Sequence, residues 1–194
     1  GNTTSSRVFM PVDQGQFADA HIVMAACGDY HSVAASAEGD VFTWGAGDYG
    51  GLGHNDQQDR LAPARLVQEQ FGGGKVVLVA AGGYHTVALT EGGMLWVWGL
   101  GEFGQLGLGD TNDRLVPTRV GSGEAFGGSL VRMAACGDEH TLVVTVAGVV
   151  WTWGSGKDGR LGLNDEQHRL VPTLVDSERF EGAHIATVAG GHHH

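Results

Sequence analysis

The stretch FGGGKVVLVAAGGYH, Phe71 to His85, decides the fold, because the chain writes it three more times. Phe17 to His31 reads FADAHIVMAACGDYH, Phe126 to His140 reads FGGSLVRMAACGDEH, and Phe180 to His194 reads FEGAHIATVAGGHHH, all without a gap. The four Phe stand 54, 55 and 54 residues apart. Outward from this core the same beat continues. Thirteen residues after His31, His85 and His140 come Trp44, Trp98 and Trp153, each followed by Gly, and nineteen residues after each Trp comes Pro63, Pro117 or Pro172. The one extra residue of the longer unit falls between Pro117 and Phe126, in Gly121-Ser122-Gly123, as expected of a surface connection. A fixed period of this length marks a repeat architecture. The chain divides into full units 17–70, 71–125 and 126–179. Residues 180–194 begin a further unit, and 1–16 end a preceding one, with Arg7-Val8 loosely matching Arg114-Leu115.

Within a unit the pattern has period two and short runs. Val76 to Ala80 is an apolar, β-branched run that predicts a buried strand, and His85 to Thr90 predicts a second. Glu91-Gly92-Gly93 turns the chain, and Met94 to Trp98 makes a third strand with Trp96 and Trp98 on one face. Gly99 to Gly104 reverses it again. Arg114 to Val120 carries Pro117 and suits an edge strand, where a missing N–H costs no ladder bond. No amphipathic helix is visible. Four short strands per unit predict an all-β protein of four-stranded antiparallel propeller blades. A single such sheet cannot cover both its faces, so the pairs Phe42/Trp44, Trp96/Trp98 and Trp151/Trp153 are expected to stack blade on blade. Trp44, Trp98 and Trp153 should then be buried at equivalent sites.

The run from Val76 to Val120, with its AAGxxHTxALT, VWGxGxxGQLGLGD and RLVPxxV elements, resembles a repeat of the regulator of chromosome condensation family. The other units match with departures: Gly51 and Arg160 stand where the second unit has Gln105. The resemblance covers nearly the whole chain and implies an incomplete piece of a seven-bladed ring. It also implies structural roles for the repeated Gly and His. In the exchange factor that names the family, one loop face contacts a small GTPase with acidic residues. Asp29 and Asp138 match that pattern and Gly83 departs from it. The family's projecting hairpin has no counterpart in these near-equal units. The light-sensing branch depends on a Gly-Trp-Arg-His-Thr run that this sequence lacks.

Composition agrees with a folded, turn-rich chain: 34 Gly, 4 Pro and 42% hydrophobic residues. No apolar run reaches the roughly 18 residues of a membrane span. The formal net charge of −11 disfavours phosphate backbones and direct nucleic-acid binding, and favours a basic partner or plain solubility. Cys27 and Cys136 occupy one repeat position two units apart. They read as small core thiols of a reducing, intracellular compartment, cytoplasmic or nuclear.

No catalytic constellation, cofactor motif or metal site is expected. Three GxGxxG matches begin at Gly45, Gly99 and Gly154, but each lacks the helix start that holds a pyrophosphate, and each recurs once per unit as a turn. The repeated His sit in different blades and are expected not to converge on one ion. The run His192-His193-His194 keeps the repeat's phase at His194 and equally matches a shortened affinity tag, which would bind metal adventitiously. Asp110 to Asp113 lacks the Gly and distal Glu of a calcium loop. Variation just before each repeat His singles out Asp29, Tyr30, Tyr84, Asp138 and Glu139 as partner-binding candidates on one rim, with ordinary turn residues as the plain alternative. The expected function is a protein-binding scaffold within a larger protein, such as a ubiquitin ligase or signalling protein. The alternative is a guanine-nucleotide exchange factor. The chain ends after the expected first strand of one blade and begins near the fourth strand of another, so open ends should favour self-association.

Overall fold

The computed structural model of the chain describes residues 12–121, 125–192 and 194. The match of Arg7-Val8 and the insertion at Ser122-Gly123 lie outside them. The described residues form three four-stranded antiparallel sheets, each paired in chain order. The first holds β1 (Ile22–Cys27), β2 (His31–Ser36), β3 (Val41–Gly45) and β4 (Arg60–Leu66). The second holds β5 (Val76–Ala81), β6 (His85–Thr90), β7 (Leu95–Gly99) and β8 (Arg114–Arg119). The third holds β9 (Val131–Cys136), β10 (His140–Thr145), β11 (Val150–Gly154) and β12 (Arg169–Leu174). The only helical elements described are 3₁₀ turns of three or four residues.

Residue chemistry explains the order of strands. β6, HTVALT, is buried along its whole length, as a strand covered on both faces must be. Pro63, Pro117 and Pro172 all lie on the outermost strand of their sheets, β4, β8 and β12. Gly99 closes β7 at φ +101°, and a Cβ there would lie 2.2 Å from the Tyr84 carbonyl oxygen, so the Gly after the Trp is demanded by both conformation and space. This is the first glycine of a GxGxxG match, which the structure shows to be a strand-end turn.

The core lies between sheets. Val33, Val41, Leu66, Phe71, Val79 and Trp98 join the first sheet to the second. Val87, Leu95, Leu106, Phe126, Val143 and Trp153 join the second to the third. Hydrogen bonds lock each joint. Trp98 Nε1 and Thr86 Oγ1 both donate to the Gly51 carbonyl, at 2.9 and 2.8 Å. Trp153 Nε1 and Thr141 Oγ1 donate to the Gln105 carbonyl, at 2.9 and 2.8 Å. Each Thr hydroxyl has thus spent its proton, so the imidazole that meets it donates: His31 Nε2 to Thr86 Oγ1 at 2.7 Å, His85 Nε2 to Thr141 Oγ1 at 3.0 Å. His31 and His85 are structural links between neighbouring blades.

Two expectations need correction. Trp44 is only half-buried, whereas Trp98 and Trp153 are fully buried. The two buried rings each rest on a loop of the preceding blade, and Trp44 has no such loop beside it among the described residues. Its packing comes instead from Phe17, edge-on at 5.8 Å. Cys27 is exposed for the same reason: β1 alternates half-buried and exposed residues on the open side of the first sheet. Cys136 is buried, as expected of a core thiol. Beyond the third sheet, Phe180, Ile185 and Val188 pack against Val144, Val150 and Val175, and Arg132 donates to the carbonyls of Ile185 and Ala186 at 2.9 and 2.8 Å.

Candidate protein-binding face

The loops joining the first two strands of each sheet lie together at one end of the molecule, because the strands that carry them pack side by side. Three tyrosines gather there. Tyr30 and Tyr84 stack with ring centroids 4.6 Å apart and planes 18° from parallel. Tyr49, from the loop after β3, meets Tyr84 edge-on at 5.2 Å. Tyr30 and Tyr49 are 55% and 41% exposed, so the cluster offers aromatic surface to solvent rather than filling a core. A hydrogen bond with Tyr30, then burial and the nearby Asp48 charge, push the Tyr84 phenol up to about 12. The Tyr84 ring is therefore neutral at physiological pH.

The acidic candidates share this end. Asp29 is exposed, while Asp138 and Glu139 are half-buried. Asp29 and Asp138 both approach His192 Nε2, at 3.6 Å. Glu139 is engaged differently, by Arg160 Nη1 at 3.2 Å, and the same guanidinium reaches Asp158 at 3.1 Å. Four residues here were not among the partner-binding candidates read from the sequence: Asp48, Tyr49, Arg160 and His192. The Asp48-Tyr49 pair had a readable signal, since it varies between fixed glycines as Asp29-Tyr30 varies between a fixed Gly and a fixed His.

Other polar groups have structural duties. Arg60, Arg114 and Arg169 bind Asp56, Asp110 and Asp165 at 2.7, 2.7 and 2.6 Å. Those hydrogen bonds hold each carboxyl below its usual range. Asp59 and Asp113 accept from the N–H of Gly47 and Gly101, at 3.0 and 2.9 Å, closing the glycine turns. Burial drives the imidazoles of His31, His85 and His140 down to about 4, 3 and 4, so they are neutral in the fold. Burial pushes the Cys136 thiol up, far from a reactive thiolate. No described helix is long and apolar enough to cross a membrane.

Comparison with known proteins agrees with this architecture. The sequence model of the "Regulator of chromosome condensation (RCC1) repeat" matches residues 38–89, 92–144 and 147–194. The Ultraviolet-B receptor UVR8 of Arabidopsis thaliana is 40% identical over 194 residues, which is all of this chain and 42% of that protein. Human E3 ubiquitin-protein ligase HERC2 is 36% identical over 182 residues, 93% of this chain and 4% of that protein. The chain thus spans less than half the length of either relative. Among solved structures, Prp20p from Saccharomyces cerevisiae superposes with a TM-score of 0.76 at 22% identity, over 89% of this chain and 42% of that one. That likeness shows a common fold. From its repeats, its blade joints and these matches, the chain belongs to the regulator of chromosome condensation repeat family.

Proposed function

We propose that this chain is a non-enzymatic protein-binding segment of a larger propeller protein, and that its rim of Tyr30, Tyr84 and Tyr49 beside Asp48 and Asp29 docks a basic partner. The observation that carries this is the exposed tyrosine cluster. Stacked, solvent-facing aromatic rings with carboxylates at their border attract Lys and Arg side chains by charge and by cation–π contact. The net charge of −11 adds a long-range pull on the same partner. Asp138 and Glu139 complete the acidic border in this proposal. Relatives give the context: HERC2 is a ligase in which such a segment is a small part, and Prp20p was described together with its binding properties to Gsp1p and histones.

A test uses fluorescence anisotropy with a Lys/Arg-rich peptide and an acidic peptide of equal length. The basic peptide should bind, and more weakly as salt rises. The Tyr30→Ala/Tyr84→Ala double variant should lose about tenfold in affinity, a modest hot-spot effect of ~1.4 kcal/mol. Equal binding of both peptides, or no change in the double variant, would remove this face from consideration. The exchange-factor alternative predicts accelerated release of labelled nucleotide from a small GTPase, and we expect none.

A further inference from the structure

Asp29, Gly83, Asp138 and His192 hold the same place in four successive units. The curvature of the molecule turns that sequence equivalence into proximity. One carboxylate oxygen each from Asp29 and Asp138 and one ring nitrogen of His192 lie within 4.8 Å of one another. His192 Nε2 stands 3.6 Å from Oδ2 of each aspartate.

The fourth member, Gly83, explains how this comes about. Its φ is outside the left-handed region, so its backbone conformation does not call for glycine. Its space does. A Cβ at Gly83 would lie 1.9 Å from Asp138 Oδ1. The Asp138 carboxylate occupies the volume a side chain would take, and so reaches across the second unit toward Asp29 of the first. The departure of Gly83 from the acidic pattern is what lets the two acids meet.

We propose that Asp29, Asp138 and His192 bind one divalent transition-metal ion, zinc by preference, which ties the first unit to the third and fourth. Two carboxylate oxygens and an imidazole nitrogen suit a borderline ion, and water completes the shell. Ligand atoms about 2.0–2.2 Å from a tetrahedral zinc stand about 3.3–3.6 Å apart, so the observed 3.6 Å His–Asp separations need little closure. Two carboxylates this close repel, and a divalent cation between them converts that repulsion into attraction. Calcium and magnesium prefer more ligands, all oxygen. The three side chains border a cavity of about 120 Å³ walled by Gly28, Gly82 and Gly137. They are 40%, 17% and 55% exposed, which gives an ion access and room for water. The expectation of no metal site rested on the repeated His lying in different blades and did not consider Asp29 and Asp138 together with His192. The site shares Asp29 and Asp138 with the acidic border of the tyrosine face, but metal binding is read without any peptide partner.

The test is calorimetric titration of the metal-free 194-residue chain with zinc chloride, and with magnesium chloride for comparison. Zinc should bind one to one and raise the melting temperature, and magnesium should do neither. Cobalt(II) should give the visible absorption of a low-coordinate site. The Asp29→Asn/Asp138→Asn variant keeps the His192-His193-His194 run and should melt normally without metal. It should lose zinc affinity by about tenfold or more, together with the cobalt spectrum. Gly83→Ala, which removes no ligand, should weaken zinc about tenfold by displacing Asp138. If the double Asn variant takes up zinc as tightly as the parent, the histidine run alone is the chelator and the proposal is overturned. Absence of saturable zinc binding by the parent, or equal binding of magnesium, overturns it as well.

Discussion

At the scale of single residues, the molecule separates tryptophans that look identical in sequence. Trp98 is fully buried, its Nε1 donating to Gly51 and its ring against Phe71, 6.0 Å away between centroids. Trp44 holds the same repeat position but keeps one side open. Trp98→Ala leaves a large cavity between two blades and should cost about 3–5 kcal/mol. Trp44→Ala forfeits only partial burial and an edge contact, and should cost about 1 kcal/mol. Urea unfolding of both variants checks this, and equal losses would show that the joint contributes little. The Phe–His–Trp–Pro beat was legible because like residues recur at like intervals. The difference between Trp44 and Trp98 was not, because it depends on what lies against the next blade, and a repeat read alone carries no such neighbour.

At the scale of elements, the joint between β2 and β6 is a chain of donors: imidazole to hydroxyl to carbonyl, ending on a main-chain oxygen. His85 repeats it between β6 and β10, and burial holds both imidazoles neutral there. The unfolded chain takes up protons at these histidines from about pH 6.5 downward. The folded chain resists until about 4 for His31 and about 3 for His85. In between, protons favour the unfolded state, so this stability is complete above about pH 6.5 and drains away as pH falls toward the folded values. Each histidine should account for roughly 2 kcal/mol lost between about pH 7 and 5. His85→Gln keeps an N–H donor without the titration. Its unfolding free energy should vary less with pH than that of the parent, and an unchanged slope would mean other groups dominate. Strand order and the edge placement of the prolines were readable from period-two runs and turn residues. The meeting of Asp29, Asp138 and His192 was not, since curvature between sheets, not spacing within one, brings them together.

At the scale of the whole molecule, stability should be graded along the repeat axis, because each sheet draws its cover from its neighbours. The second sheet has a buried layer on both sides. The first has such a layer against the second sheet but only the small cluster of Phe17, Ala34 and Phe42 on its other face, with β1 alternating between half-buried and exposed residues. Amides of β6 should therefore exchange with solvent most slowly, and those of β1 and β2 faster. Uniform protection would show that the blades open as one unit. The two joints also share a habit of address. Thr86 and Trp98 find the oxygen of Gly51, while Thr141 and Trp153 find the oxygen of Gln105, and the third unit has Arg160 at the same place. The coupling reads the main chain and ignores the side chain attached to it. Such a coupling is a standard fitting: any unit that presents that oxygen can accept any unit that presents the Thr and Trp. The side chain at the fitting is then free to drift toward new work, as Arg160 has in reaching Glu139 on the rim.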